Sequence, residues 1–179
     1  MSKDIVYFDL ETQRTAGDVG GWGNKHKMGI SVASTYSTRL GEYCCYLEDE
    51  VDQLIEQLRR ADLVVGFNHI GFDYEVLMAF TVLELREQLH SLDLMLDLEK
   101  RLGHRLKLDA VASATLGTSK TADGLEAIRW WQQGKILDIA RYCCFDVKVT
   151  RCVHEYGMKH GHVKYLDRSR REVKVEVDW

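Results

Sequence analysis

Ile5-Val6-Tyr7-Phe8-Asp9-Leu10-Glu11 sets the architecture of this chain. Four β-branched or aromatic residues run straight into an acid, an apolar residue and a second acid, with Thr12 and Gln13 beginning the exit. This reads as a buried strand with two carboxylates at its C-terminal end. Side chains alternate across a strand, so Asp9 and Glu11 share the face set by Ile5 and Tyr7, while Val6, Phe8 and Leu10 take the other. Two carboxylates side by side and partly out of water repel, and one pKa rises unless a cation or a donor lies between them. A divalent metal ion is the simplest partner. Alone, the pattern is cheap: 15 Asp and 13 Glu in 179 residues give about one Asp-x-Glu by chance, and there are three. Asp73 with Glu75 and Asp97 with Glu99 lie in stretches that read as helix, where residues two apart face different ways. Only the first pair converges through its own backbone.

Upstream of this strand stand only Met1-Ser2-Lys3-Asp4, without the apolar segment and cleavage site of a signal peptide. A cytoplasmic location is expected. Downstream, residues 14 to 28 form a loop with Gly17, Gly20, Gly21 and Gly23 around Trp22, leaving the acidic strand end and overhanging it. Trp22 either anchors the loop to the core or stacks on a nucleobase, as aromatics of single-strand binders do. Gly29 to Tyr36 alternates, Glu42 to Leu47 is β-rich, and Thr38 to Gly41 lies between, giving an antiparallel three-strand meander led by the acidic strand. Asp49 to Arg60 carries Val51, Leu54, Ile55 and Leu58 at helical period, and Leu63 to Phe67 is a short apolar strand suited to a sheet covered on both faces. Helices on both faces of a mixed sheet follow.

After that strand come Asn68-His69-Ile70-Gly71-Phe72-Asp73, with Asn68 leaving the strand end and Asp73 opening the next helix. An acid there serves as a cap or dipole partner, or is delivered by the strand end to the first two acids. Leu92 to Leu102 and Leu108 to Leu116 read as helices, Thr118 to Asp123 as a polar loop, and Gly124 to Gln133 as a helix whose Trp130 and Trp131 belong to the core. A long helix runs from Lys135 to about Lys159, with Tyr142 and Asp146 one turn apart on one face. Val163 to Arg168 and Glu172 to Trp179 read as a terminal hairpin.

Composition bounds the rest. With 45% hydrophobic and 29% charged residues, no proline and no linker, residues 1–179 are expected to form one compact domain. No 18-residue apolar span suggests a membrane. Five cysteines without Cys-x-x-Cys spacing read as reduced, mostly buried small residues rather than a zinc site. A net charge of −4 argues against a protein that coats nucleic acid. It leaves room for an enzyme gripping a short strand beside metal ions. Local basic clusters at Lys25 to Lys27, Lys100 to Lys107 and Arg168 to Lys174 read first as solvated surface.

Phe8-Asp9-Leu10-Glu11-Thr12, Asn68 to Asp73, and Tyr142-Cys143-Cys144-Phe145-Asp146 together resemble the three exonuclease motifs of the DEDD, or DnaQ-like, superfamily. The tyrosine before the last acid resembles the DEDDy subclass, which includes polymerase proofreading domains; a histidine-type member would have His where this chain has Arg141. Trp22-Gly23-Asn24, the Trp130-Trp131 helix and the terminal hairpin further resemble bacterial nucleases of the YprB type. The resemblance implies an α/β ribonuclease-H-like fold and 3′-5′ exonuclease action on single-stranded DNA or RNA by two metal ions, Mg²⁺ or Mn²⁺. It implies that Asp9 bridges both ions, that Glu11 and Asp146 complete one site, that Asp73 holds the other through water, and that Tyr142 orients the attacking water. Thr12 and Asn68 would touch the terminal nucleotide. A helicase or polymerase partner is conceivable, since related domains are often joined to one. The competing readings are a non-catalytic binding or adaptor module of the same fold, and an endonuclease.

Overall fold

A computed structural model describes residues 3–118 and 124–179. Among them, five strands make one sheet in the order β3-β2-β1-β4-β5. β1 (Ile5–Thr12), β2 (Ile30–Ser37) and β3 (Glu42–Tyr46) form the antiparallel meander, and β4 (Leu63–Gly66) and β5 (Ser91–Asp93) add in parallel on the other side of β1. The acidic strand is therefore central. Its two faces carry different cores. Val6, Phe8 and Leu10 pack with Leu54, Ile55 and Leu58 of α1 (Val51–Arg60) and with Val76 and Leu77 of α2 (Asp73–Leu77). Tyr7, with Ile5 beside it, packs instead with Leu94 and Leu98 of α4 (Leu94–Leu102), Val111 of α5 (Leu108–Leu116) and Val147 and Val153 of α7 (Ile136–His160).

α7 crosses β1, β2 and β4 and so covers the face that Asp9 and Glu11 share with Tyr7. A 25-residue helix reaches that far because its buried positions Ile139, Tyr142, Cys143, Asp146, Val147, Thr150, Val153 and Gly157 recur at the helical period. Short α3 (Leu85–Gln88) precedes β5, and α6 (Gly124–Gln132) brings Trp130 and Trp131 against a satellite cluster with Val32, Ile139 and Tyr142. β6 (His162–Leu166) and β7 (Glu172–Glu176) form the antiparallel hairpin expected at the end.

Three expectations are refined. Ser91 to Asp93 is an edge strand rather than the start of a helix, because Asp93 caps α4 by accepting from Met95 and Leu96. The loop read at Thr118 to Asp123 falls, from residue 119 onward, outside the described residues. The cysteines are not mostly buried: Cys143 is, Cys44, Cys144 and Cys152 are half-buried, and Cys45 is exposed on the edge strand.

Candidate active site

β1 pairs with β2 from Val6 to Thr12, whereas its ladder with β4 stops at Tyr7, so the acids stand on the part of the strand paired on the β2 side. Asp9 faces Ser34 and Glu11 faces Val32 across the antiparallel ladder, and the register slips between Glu11 and Thr12. Beyond that bulge Thr12 still pairs with Ile30, and the Gln13 and Arg14 amides donate to the Gly29 and Met28 carbonyls. α7 then lays Asp146 against the pair, and carboxylate oxygens of Asp9, Glu11 and Asp146 all lie within 4.8 Å of one another. Among the described residues this is the group with a metal-binding spread. Glu11 and Asp146 are buried and Asp9 is half-buried. The donor chemistry suits a hard divalent cation: several carboxylate oxygens, partly out of water, converging from two elements.

Tyr142 is directed at the same place. Its hydroxyl hydrogen-bonds Asp146, and burial, followed by the charges of Asp146, Glu11 and Asp9, pushes the phenol far above its usual range. The tyrosine therefore keeps its proton at any ordinary pH. Trp130 meets its ring edge-on at 6.1 Å, which fixes the ring plane. Beside it, the fully buried Cys143 thiol donates to the Asp9 backbone oxygen at 3.3 Å and to Asp9 Oδ2 at 3.5 Å. Burial and the neighbouring acids push that thiol well up, so it remains a donor. The sequence offered no signal for this role, since a thiol between Tyr142 and Cys144 reads as helix core.

Asp73 is not within the mutual cluster. It opens α2 as expected, 3% exposed, and its Oδ1 accepts the amide of Leu10, the residue between the two strand acids, at 2.9 Å. Burial raises its carboxyl to about 7, against the lowering effect of the Leu10 amide. The turn that delivers it is held by a residue the sequence reading missed. Asp93, 4% exposed, accepts the amides of Asn68 at 2.8 Å and Ile70 at 3.0 Å, besides those of Met95 and Leu96 at 3.1 and 3.2 Å. Its signal was an acid at a strand-to-helix junction, the ordinary N-cap position. Asn68 sits at φ 68°, which asparagine tolerates better than most residues. Gly66 is sterically required, since a Cβ there would lie 2.7 Å from the His69 ring, whereas one on Gly71 would crowd only the end of the Asn68 side chain, Oδ1, at 2.9 Å.

Beside Glu11, the one acid of the cluster in its lining, opens a cavity of about 610 Å³ whose walls include Thr12, Trp22, Phe72, Leu125 and Ile128. Trp22 is not the loop anchor that one reading of the sequence had it be. It is 66% exposed and touches Phe72 edge-on at 6.3 Å. Thr12 lines the same cavity, its hydroxyl donating to the Arg14 carbonyl at 3.0 Å. The arrangement offers an acidic cluster with the donors for a metal ion, a protonated phenol and, beside Glu11, an aromatic wall.

The raised Asp73 carboxyl makes a pH prediction. Between its unfolded value near 4 and about 7, the native state binds more protons than the unfolded chain, so this group's contribution to stability falls as pH rises through that window. Asp73→Asn, which keeps an acceptor for the Leu10 amide, is expected to gain melting temperature relative to the wild type between pH 5 and pH 8 in chelator. A difference that is flat with pH would show that Asp73 is ionised throughout.

The model of the RNase_H superfamily matches residues 6–135. Among solved structures, the family B DNA polymerase from the hyperthermophilic archaeon Pyrobaculum calidifontis is similar, with a TM-score of 0.65 and 17% identity over 88% of this chain. The chain spans about a quarter of that polymerase's length, 25%. No curated protein matches the sequence. Among the described residues no helix is long and apolar enough to cross a membrane.

Proposed function

This chain belongs to the RNase_H superfamily, a nuclease-type family, and on that premise we propose that it is a metal-dependent 3′-5′ exonuclease of the DEDDy kind, acting as one domain on single-stranded DNA or RNA ends. The observation that carries the reading is the convergence of Asp9, Glu11 and Asp146 within 4.8 Å, with the Tyr142 phenol hydrogen-bonded to one of them. Asp9, Glu11 and Asp146 would hold one Mg²⁺ or Mn²⁺ ion, and Asp9 with Asp73 a second. Bound there, such ions supply positive charge for the phosphate oxygens and a lowered pKa for water.

The chain's own groups do the rest. Tyr142 keeps its proton and donates to Asp146, so its phenol oxygen is left to accept from a water, fixing that water's position and lone-pair direction. The Cys143 thiol holds Asp9 from behind, and the Asp73 carboxylate holds the backbone between the two strand acids. Orientation of this kind is worth much of a hydrolytic barrier. Trp22 and Phe72 give an unpaired terminal base an aromatic surface, and Leu125 and Ile128 add apolar lining to the same cavity. Thr12 and Asn68 are placed by this reading against the terminal sugar and phosphate.

The test is incubation of 5′-labelled single-stranded DNA and RNA with purified protein in Mg²⁺, Mn²⁺ or chelator, beside sealed circles of the same sequences. A metal-dependent ladder that shortens from the 3′ end, with circles intact, is the expected result. Cut circles would establish an endonuclease instead, and intact strands in every lane a binding module. Tyr142→Phe is expected to slow the ladder about 10²-fold while keeping the metal-induced rise in melting temperature. At a hundred times the dissociation constant that rise corresponds to about 2.7 kcal/mol, or roughly 5–10 °C for a domain of this size. Full activity in Tyr142→Phe would remove the tyrosine from the reaction.

A further inference from the structure

Sheet register runs a row of residues away from the acidic cluster. Asp9 on β1 pairs with Ser34 on β2, and Ser34 pairs with Cys45 on edge strand β3. Directly paired residues share a face, so all three face α7. α7 answers in step: Cys143 touches Asp9, and Cys144 touches both Ser34 and Cys45. The Cys45 and Cys144 sulfurs are 3.4 Å apart, and Ser34 Oγ lies 3.4 Å from one and 3.5 Å from the other. Ser34 is fully buried, whereas Cys45 is exposed, so the pair is backed by the core and open to solvent. Two residues 99 apart in sequence are thus held in sulfur contact. With two thiols and a hydroxyl, the site falls short of the four ligands that a structural zinc takes.

We propose that Cys45 and Cys144 are an oxidation site, at which a peroxide closes a disulfide that tethers α7 to β3 and lowers turnover at the acidic cluster. The effect on turnover rests on the nuclease reading; the chemistry of the pair does not. The Cys45 sulfur attacks a peroxide oxygen and the O–O bond breaks, leaving Cys45 as a sulfenic acid, while the departing oxygen takes the thiol proton. The Cys144 sulfur then attacks the Cys45 sulfur, the S–O bond breaks, and the departing hydroxide leaves as water with the Cys144 proton. Two thiols lose two electrons, and hydrogen peroxide gains them as two waters. Hydrogen bonds from Cys144 and Ser34 hold the Cys45 thiol below its usual range, which favours it as the attacking partner.

The cost to turnover follows from position. A disulfide bond is about 2.05 Å long, so closing the 3.4 Å contact draws the two sulfurs together, and the part that side-chain rotation does not absorb falls on residue 144 and β3. Residue 144 lies between Tyr142 and Asp146 on one continuous helix, and its neighbour Cys143 holds Asp9. A displacement on the order of 1 Å at a catalytic constellation costs up to about 10²-fold in rate.

The experiment treats wild type, Cys45→Ser and Cys152→Ser with hydrogen peroxide, then maps peptides under non-reducing conditions and measures melting temperature and Mn²⁺-dependent strand shortening before and after dithiothreitol. Expected in wild type and Cys152→Ser are a linked Cys45–Cys144 peptide, a raised melting temperature and turnover at least ~10-fold lower, all reversed by dithiothreitol. Cys45→Ser is expected to keep its turnover through the treatment. Oxidation of other thiols without the linked peptide would overturn the pairing. A linked peptide with unchanged turnover would overturn its effect on the site. Were untreated protein to cut no strand at all, the nuclease reading would fall, while the linked peptide and the Mn²⁺-induced melting shift would still decide the fate of the thiol pair.

Discussion

Replacing Asp9 by Asn is expected to lower the proposed exonuclease turnover by at least ~10³-fold, equivalent to about 4 kcal/mol of transition-state stabilisation, in a protein that still folds. Asn has the shape of Asp and still offers Cys143 an oxygen, so the thiol contact at 3.5 Å survives. What disappears is one of three charges whose oxygens lie within 4.8 Å of one another. Losing it relieves like-charge repulsion, so the melting temperature in chelator should hold or rise. Its increase on adding Mn²⁺ should shrink. The same pattern is expected for Asp146→Asn, and the double variant should be little worse than either single one, because groups that act as a unit do not lose activity additively. Initial rates at saturating Mn²⁺ beside thermal melts provide the check. Turnover within tenfold of wild type in either single variant would sink the assignment.

Asp93→Ala is expected to act on the fold instead, with a loss of about 3 kcal/mol or more. Four backbone amides, at 2.8 to 3.2 Å, end on this one carboxylate. Two belong to the first turn of α4, where losing a cap alone costs about 1 kcal/mol. The others pin the Asn68 to Ile70 turn, in which Asn68 holds a positive φ. At a position 4% exposed, removing the carboxylate takes the acceptor from four donors that are largely shielded from bulk solvent. A drop of roughly 6–12 °C in melting temperature corresponds to that loss for a domain of this size. Asp93→Asn, which keeps an acceptor, should fall between the two. Urea unfolding is the measurement, and an Ala variant within about 1 kcal/mol of wild type would mean that the turn is held by other contacts. Because the turn leads directly to Asp73, whose carboxylate accepts the Leu10 amide, turnover per folded molecule should fall as well.

These two residues mark how far the sequence could be read. Asp9 was legible because strand periodicity puts Glu11 on its face without help from the rest of the chain. The two decoy pairs, Asp73 with Glu75 and Asp97 with Glu99, do lie in helices. Tyr142 and Asp146 were legible as neighbours for the equivalent reason, one helical turn. Asp93 had a capping signal but was absorbed into a helix begun at Leu92, two residues too early, since a three-residue edge strand is too short to show alternation. Trp22 was readable both ways because a glycine-rich loop has no periodicity to say which side meets solvent.

Within one element, backbone geometry fixes which side chains are neighbours, and so the sequence by itself determined the acidic strand, the meander that follows it, the amphipathic α1 and the Tyr142–Asp146 face of α7. That Asp146 joins Asp9 and Glu11 was implied by the resemblance of three motifs and by no local spacing, while tertiary structure alone decided that Cys143 reaches Asp9 across 134 residues, that Asp73 grips Leu10 across 63, and that Cys45 meets Cys144 across 99. Those meetings depend on how α7 and the motif turn pack on the sheet. Packing is settled by the volumes and polar partners of many distant residues at once, which no local spacing encodes.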